Sequence, residues 1–107
     1  MTIIRIKSRA GEFAEDKDVA ADIRSVTIMP TIYSGGNVCL DFSGVQGATQ
    51  SFVHALICDT IRTYGTGVLD RIEFKACNPT IKTVIEIVVE YSQHGLDGVG
   101  SDDQPTE

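Results

Sequence analysis

Five polar side chains gather in one short stretch of the sequence, between an apolar run and the start of a helical pattern: Asp41, Ser43, Thr49, Gln50 and Ser51. An acid at the carboxyl end of a strand can orient a hydroxyl or hold a cation, in the crevice where α/β proteins collect ligands. It can equally cap a turn by accepting backbone amides, helped by a neighbouring serine. The residue types leave both interpretations open.

Two hydroxyls of this stretch stand where a helix is expected to begin. Thr49 and Ser51 are both good N-cap residues. A phosphate on a hydroxyl at this place would meet free backbone amides and the positive end of the helix dipole. His54 follows one turn later, and it has no Ser, Cys or Asp at relay spacing, so we assign it to packing or to the surface. The stretch favours a binding or modification site over a catalytic one.

The sequence offers no motif for catalysis or for a cofactor. It contains no GxGxxG, Walker or HExxH pattern, and no hydrolytic triad can be assembled from it. Cys39, Cys58 and Cys77 are far apart and lie inside apolar elements, which favours buried thiols in a reducing compartment. With His54 or His94 they lack the close spacing of metal ligands. We expect a non-enzymatic protein without cofactor or metal.

A strand and a helix position the polar stretch. Val38 to Phe42 is an almost unbroken apolar run after the turn residues Ser34–Asn37, which predicts a central strand covered on both faces. From about Gln50 the apolar residues recur at helical spacing until Gly65, which predicts a helix that ends at a left-handed glycine. A buried strand that feeds a buried helix through a polar loop is typical of an α/β domain.

The same stretch resembles a known family. The run from Leu40 to Val45, followed by Ser51-Phe52 at the helix opening, is similar to the STAS domains of anti-sigma-factor antagonists. It is more similar still to a small bacterial family described as STAS-like and of unknown function. The resemblance covers roughly residues 1–93. It implies a regulatory protein that binds an ATPase or kinase of the histidine-kinase-like fold.

The resemblance also suggests a phosphorylation site. The antagonists use a serine in this region as the target of a partner kinase. By resemblance, Gln50 and Ser51 fall where their Ser-Ser/Thr pair falls, and Thr49 replaces the preceding Asp. Ser51 retains a hydroxyl residue at the second position of this pair, whereas Gln50 occupies the position most associated with the phosphate acceptor.

Before the central strand, the sequence predicts one strand and one helix. Ile3–Lys7 alternates as a short strand, and a loop marked by Gly11 follows it. Asp16 or Asp18 can cap a helix with Val19, Ile23 and Val26 on its apolar side. Pro30 lacks an amide hydrogen and clashes with the preceding turn, so we expect this helix to end just before it.

After the central helix, the sequence predicts a flexible joint over residues 65–67, then a strand and a helix. Arg71–Ala76 alternates as a half-exposed strand, with Ile72, Phe74 and Ala76 inward. Asn78 is the expected N-cap of a helix that begins at Pro79 and stops at Gly95. Its apolar stripe is Ile81, Val84, Ile85, Val88 and Tyr91. The order β-α-β-α-β-α predicts a small STAS-like α/β domain over residues 1–96, with a mostly parallel or mixed sheet covered by helices.

The net charge and the composition of the chain limit the classes of partner that it can bind. The net charge is −6, from 15 acidic and 9 basic side chains, and four of the acids lie in the last eleven residues. Residues 97–107 are too polar to form a core, so we expect an acidic, disordered tail. Such a tail repels phosphate backbones and disfavours direct nucleic-acid binding. The apolar runs are too short for a bilayer, which favours a cytoplasmic protein.

We therefore expect a regulatory module that binds another protein through the loop Ser43–Gln50 and the exposed side of the central helix. That helix is apolar nearly all round, which indicates a second contact unless neighbouring helices bury both flanks. One alternative is a small-ligand or nucleotide sensor at a crevice around Asp41, Ser43 and Ser51. Another is an antitoxin whose acidic tail wraps a basic toxin. Self-association stays open. The candidate binding or phosphorylation residues are Asp41, Ser43, Thr49, Gln50, Ser51, Phe52 and His54.

Overall fold

Five short strands and five α-helices follow one another within residues 1–98. The computed structural model describes residues 1–98, and the side chains of residues 1–92. The strands are β1 (Thr2–Arg5), β2 (Phe13–Ala14), β3 (Val38–Asp41), β4 (Gly47–Ala48) and β5 (Ile72–Lys75). The helices are α1 (Ile6–Ala10), α2 (Lys17–Ile23), α3 (Met29–Tyr33), α4 (Gln50–Tyr64) and α5 (Pro79–Gly98).

The main sheet is parallel and has three strands, in the order β1-β3-β5. Its register makes Arg5, Asp41 and Lys75 neighbours at the carboxyl ends of the strands. The predicted α/β class and the central place of the Val38 strand are thus confirmed. β2 and β4 form a separate parallel pair that the sequence did not predict, because two-residue strands have no periodicity to read.

The helices cover one face of the main sheet, as right-handed crossovers in this strand order require. The core includes Ile4, Leu40 and Ile72 from that face. Ile3, Cys39 and Glu73 are neighbours in register on the opposite face and lie outside the core cluster. Val38, Cys39 and Leu40 are all buried, as predicted for the central strand, although the face that carries Cys39 lies outside the core cluster.

α4 lies at the centre of the helical layer. Its buried side chains are Phe52, Val53, Leu56, Ile57, Cys58, Thr60 and Ile61. α2 packs on one flank and α5 on the other. The Arg24 guanidinium donates to the Ala55 carbonyl at 2.7 Å and lies 3.4 Å from the Asp59 carboxylate. Neighbouring helices therefore account for the apolar flanks of α4.

The helix that begins at Lys17 does not end before Pro30. Asp16 caps it by accepting the Asp18 amide at 2.9 Å, as one of the two predicted caps. A π-helical segment, Arg24–Ile28, then links α2 to α3, and Pro30 stands in the first turn of α3. Pro30 has no amide to donate, and it directly follows the π turn, in which the Met29 amide bonds to the Arg24 carbonyl in place of the regular α-helical bond. The wider π turn shifts the register, so Val26 is exposed instead of facing the core.

Three further boundaries differ from the predictions. β1 ends at Arg5, because α1 begins at Ile6. The joint at residues 65–67 continues into a 3₁₀ helix over Thr66–Arg71. β5 ends at Lys75, and Ala76 turns the chain with φ of 59°, so its side chain is exposed.

The last helix starts as predicted, since the Asn78 side chain accepts the Ile81 amide at 2.8 Å. Tyr91 is exposed, and Ser92 takes the buried place on the core stripe. α5 passes the predicted stop at Gly95 and reaches Gly98. Of the predicted disordered tail over 97–107, residues 99–107 lie outside the described part of the chain. None of the described helices combines the length and the apolar character needed to cross a membrane.

Candidate functional site

Asp41 closes a turn directly after β3. Its Oδ1 accepts the Ser43 amide at 2.9 Å and the Ser43 hydroxyl at 2.6 Å. These two bonds lower the pKa of Asp41, and the positive charges of Lys75 and Arg5 lower it further. The carboxylate is therefore ionised at neutral pH and bonded within its own turn, which is the structural role that turn chemistry allowed.

Gly44 continues this turn with φ of 79°, a conformation that favours glycine. A Cβ at this position would stand 2.8 Å from Lys7 Cδ. Lys7 thus lies across the turn, and with Arg5 and Ser8 it forms one wall of a shallow crevice whose other wall is Asp41 and Ser43.

Backbone and side-chain bonds fix the loop between this turn and α4. The Glu12 carbonyl accepts the Gln46 amide at 2.7 Å, and the Gln46 side chain donates to the Glu12 carboxylate at 2.9 Å. The Asn78 side chain donates to the Gln46 carbonyl at 2.8 Å. The Thr49 amide donates to the Ala14 carbonyl at 3.0 Å. The loop is thus held by β2 and by the start of α5.

Thr49 is the N-cap of α4. Its hydroxyl accepts the Phe52 amide at 3.1 Å, and its carbonyl accepts the Val53 amide at 3.1 Å. Ser51 is the second residue of the helix, so it is exposed and does not cap. Phe52 is fully buried in the core. Its side chain therefore does not form part of the surface at the start of α4.

A groove runs along the outer side of α4, between this helix and α5. We call it the α4–α5 groove; it is lined by Lys17, Gln50, Ser51, His54, Ala55, Ile87, Val88 and Tyr91. Tyr91 is 65% exposed and Ile87 is 44% exposed. The His54 and Tyr91 rings face each other with centroids 6.2 Å apart and planes inclined by 51°.

Helical periodicity explains why these residues meet. Ser51, His54 and Ala55 recur at intervals of three and four on the outer face of α4. Ile87 and Tyr91 are four residues apart on the flank of α5 that faces α4. Sequence reasoning missed Lys17 and Ile87, and it placed Tyr91 in the core. The sequence feature that could have indicated this groove is the pair Ile87 and Tyr91, two apolar residues four positions apart beside the buried stripe of α5.

The groove is apolar at its floor and polar at one end. Val88 and Ala55 form the floor, and Gln50 and Ser51 stand at the start of α4. Lys17 contributes a positive charge, and no carboxylate is among the described side chains that line the groove. The first amides of a helix add positive potential at the same end. The arrangement suits protein side chains, including acidic ones near Lys17.

The structure divides the predicted site residues into two groups. Gln50, Ser51 and His54 line the α4–α5 groove, and Asp41 and Ser43 line the crevice near Lys7. No residue lines both. The predicted ligand crevice combined Asp41 and Ser43 with Ser51, and in the structure these residues line two different depressions.

The three thiols are kept in their neutral form. Burial raises the pKa of Cys39, and the neighbouring Glu73 carboxylate adds to this effect. Burial also raises the pKa of Cys77 and that of Cys58, whose Sγ lies 2.6 Å from the Ser92 hydroxyl. Within residues 1–92 no group of three or more His, Cys, Asp or Glu side chains could hold a metal ion.

The fold is that of a small α/β domain with a parallel sheet and a central helix behind it. A family model described as STAS-like domain of unknown function (DUF4325) matches residues 20–82, more than half of the chain. The chain belongs to this STAS-like family. Neither the curated proteins nor the solved structures gave a match. The matched range contains β3, α4 and β5, whereas Lys17, Ile87 and Tyr91 of the α4–α5 groove lie outside it.

Proposed function

We propose that this STAS-like domain is a non-enzymatic regulatory module that binds another protein through the α4–α5 groove. The observation that carries the proposal is the exposure of Tyr91 and Ile87 beside the start of α4. Large apolar side chains on a groove with a polar rim are typical of protein interfaces. Tyrosine is also enriched among the residues that dominate binding energy.

The resemblance to anti-sigma-factor antagonists supports a partner of the kinase or ATPase class. Those proteins use a serine in the region that matches Gln50 and Ser51 as the target of a partner kinase. Here Gln50 and Ser51 stand at the start of α4 and are exposed. The partner would therefore contact the polar end of the groove and pack an apolar side chain against Tyr91 and Ile87.

Ser51 supports regulation of the same contact by phosphorylation. Its hydroxyl is exposed and has no hydrogen-bond partner among the described side chains, whereas Thr49 already performs the capping. A phosphate on Ser51 would lie near Lys17 and the first amides of α4, where negative charge is favoured. Folding would tolerate the modification, and the partner would meet an altered charge at the rim.

The test is a binding titration with a purified candidate partner, an ATPase or kinase encoded beside this chain. Tyr91→Ala should weaken binding at least tenfold, because hot-spot aromatic residues contribute about 2 kcal/mol or more. Tyr33→Ala is the matched control, since Tyr33 is 83% exposed and lies on α3, away from the groove. Equal affinities of the two variants would contradict the assignment of the groove.

Ser51→Asp and Ser51→Ala separate the role of phosphorylation from that of the groove. We expect the acidic variant to change the affinity and the alanine variant to keep it close to that of the unmodified protein. A partner kinase should also transfer phosphate to the wild type and not to Ser51→Ala. If Tyr91→Ala weakens binding while both Ser51 variants behave as the wild type, the groove is retained and the regulatory role of Ser51 is rejected.

A further inference from the structure

The two outer strands of the main sheet differ in what they present to solvent. β5 carries Glu73 and Lys75, both exposed, and Ala76 turns the chain away after it. β1 carries Ile3, which is 58% exposed. Charged side chains on an edge strand oppose pairing with another chain, and an uncharged apolar edge invites it. β1 ends in the exposed Arg5, but residues 1–4 carry no charged side chain. Of these two edges, only that of β1 therefore offers an uncharged stretch for pairing.

The backbone of Ile3 is directed to this free edge. The Thr2 amide donates to the Asn37 carbonyl at 2.9 Å, which points it toward β3. Backbone groups alternate in direction along an extended strand, so the amide and carbonyl of Ile3 point away from β3. A shallow groove follows the same edge and is lined by Ile3, Ile4, Arg5, Ser8, Arg9 and Thr27. The Arg9 guanidinium is paired with the Asp22 carboxylate of its own chain at 2.6 Å.

We propose that β1 pairs antiparallel with β1 of a second copy of this chain, around a twofold axis at Ile3. The two copies of Ile3 would exchange both backbone hydrogen bonds, as the opposed residues of a bonded antiparallel pair do. Such a contact is isologous and closes at two copies. The two three-stranded sheets become one sheet of six strands, and the exposed Ile3 side chains pack against each other.

The register follows from the strand itself. A twofold axis perpendicular to the sheet places each residue opposite one on the same face, and an axis at Ile3 pairs Met1 with Arg5 of the second copy. This uses residues 1–5, which is the strand Thr2–Arg5 and the residue before it. An axis at Ile4 would set Thr2 against Ile6, where α1 begins and the chain is no longer extended.

The charges agree with this arrangement. The two Arg5 side chains stand at opposite ends of the paired region, so they do not face each other. Each Arg5 also has the ionised Asp41 of its own sheet as its register neighbour. An edge contact of five residues is smaller than the roughly 800 Å² per partner of a standard stable interface. We therefore expect a dimer that dissociates on dilution, with a Kd on the order of 0.1 mM.

Cysteine cross-linking tests the axis directly. Opposed residues of a bonded antiparallel pair have Cα atoms about 5.5 Å apart, within the range that a disulfide spans. Ile3→Cys is made in a Cys39→Ala, Cys77→Ala background, because Cys39 neighbours Ile3 in register and Cys77 is partly exposed. Glu73→Cys in the same background is the matched control, in the same row on the other edge. Mild oxidation should give at least tenfold more covalent dimer with Ile3→Cys.

Sedimentation equilibrium tests the association itself. The wild type should pass from monomer to dimer with rising concentration, and Ile3→Lys should raise the dimer Kd at least tenfold. Glu73→Lys should behave as the wild type, and all three should melt alike because both sites are exposed. A wild type that is monomeric up to about 1 mM, well above the expected Kd, overturns the proposal. Equal cross-linking of the two cysteine variants, or a dimer that Ile3→Lys does not weaken, also overturns it. Partner binding at the α4–α5 groove does not depend on the result.

Discussion

The turn at Asp41 and the groove at Ser51 are ten residues apart in the sequence, and they differ in how their side chains are used. At the turn, Asp41 bonds twice to Ser43 and is flanked by Lys75 and Arg5. At the groove, Ser51 keeps an exposed hydroxyl beside an exposed tyrosine. Both regions contain side chains that could bind a ligand or be modified. The difference is that the polar groups of the first region are already hydrogen-bonded to each other within the turn.

A second contrast lies in the direction of the side chains along α4. Phe52 and Ser51 are adjacent in the sequence, but one is fully buried and the other is exposed. A helix turns by about 100° per residue, so neighbours in sequence fall on different faces. The Ser51-Phe52 pair, on which the family resemblance rests, therefore consists of one surface residue and one core residue. Substitutions of the two should differ in their effect on stability.

The largest effect is expected for Phe52. Phe52→Ala should lower the free energy of unfolding by about 3 to 5 kcal/mol, because it removes a fully buried aromatic ring and leaves a cavity. A loss of this size would unfold much of a small domain. Urea denaturation followed by circular dichroism measures it. A melting behaviour close to that of the wild type would mean that Phe52 faces the surface after all.

A smaller effect separates the two hydroxyls at the start of α4. Thr49→Ala should cost about 1 kcal/mol, because it removes the oxygen that accepts the Phe52 amide. Ser51→Ala should change the stability by less than about 0.5 kcal/mol, as a substitution on an exposed surface does. The two are matched in chemistry and differ in position by two residues. The reverse order of stabilities would show that Ser51 is the cap.

The smallest effect concerns the charge at the Asp41 turn. The folded state lowers the pKa of Asp41 below its ordinary value of 3.8, so folding favours the ionised form. Its contribution is present above that value and is lost as the pH falls through the lower, folded pKa. Asp41→Asn should therefore be less stable than the wild type at neutral pH, and the difference should shrink below pH 3.8. A difference that is constant with pH would contradict the charged role.

The sequence allowed prediction of the features that depend on local pattern. The apolar run after Asn37 gave β3, the helical spacing after Gln50 gave α4, and Asn78-Pro79 gave the start of α5. Turn chemistry at Asp41 was one of the two interpretations that its residue type allows, and both bonds from Ser43 are of this kind. In each case neighbours in the sequence supply the determining contact.

The features that the sequence did not give depend on contacts between distant residues. Thr49 and Ser51 are equally good caps in isolation, and the bond from the Thr49 amide to Ala14, in another element, fixes the choice. Tyr91 fits an apolar stripe, but Ser92 is turned inward, where it meets Cys58. The π segment before Pro30 shifts the helical register, whereas the prediction from apolar periodicity assumed a regular α-helix.

The central claim, that the α4–α5 groove and not the Asp41 turn meets the partner, is tested most directly by hydrogen–deuterium exchange. The exchange of the domain is measured alone and in complex with the purified kinase or ATPase partner. We predict slower exchange in the complex at residues 50–55 and 87–91, with no change at residues 41–44. Protection confined to residues 41–44, with residues 50–55 and 87–91 unchanged, would contradict the account.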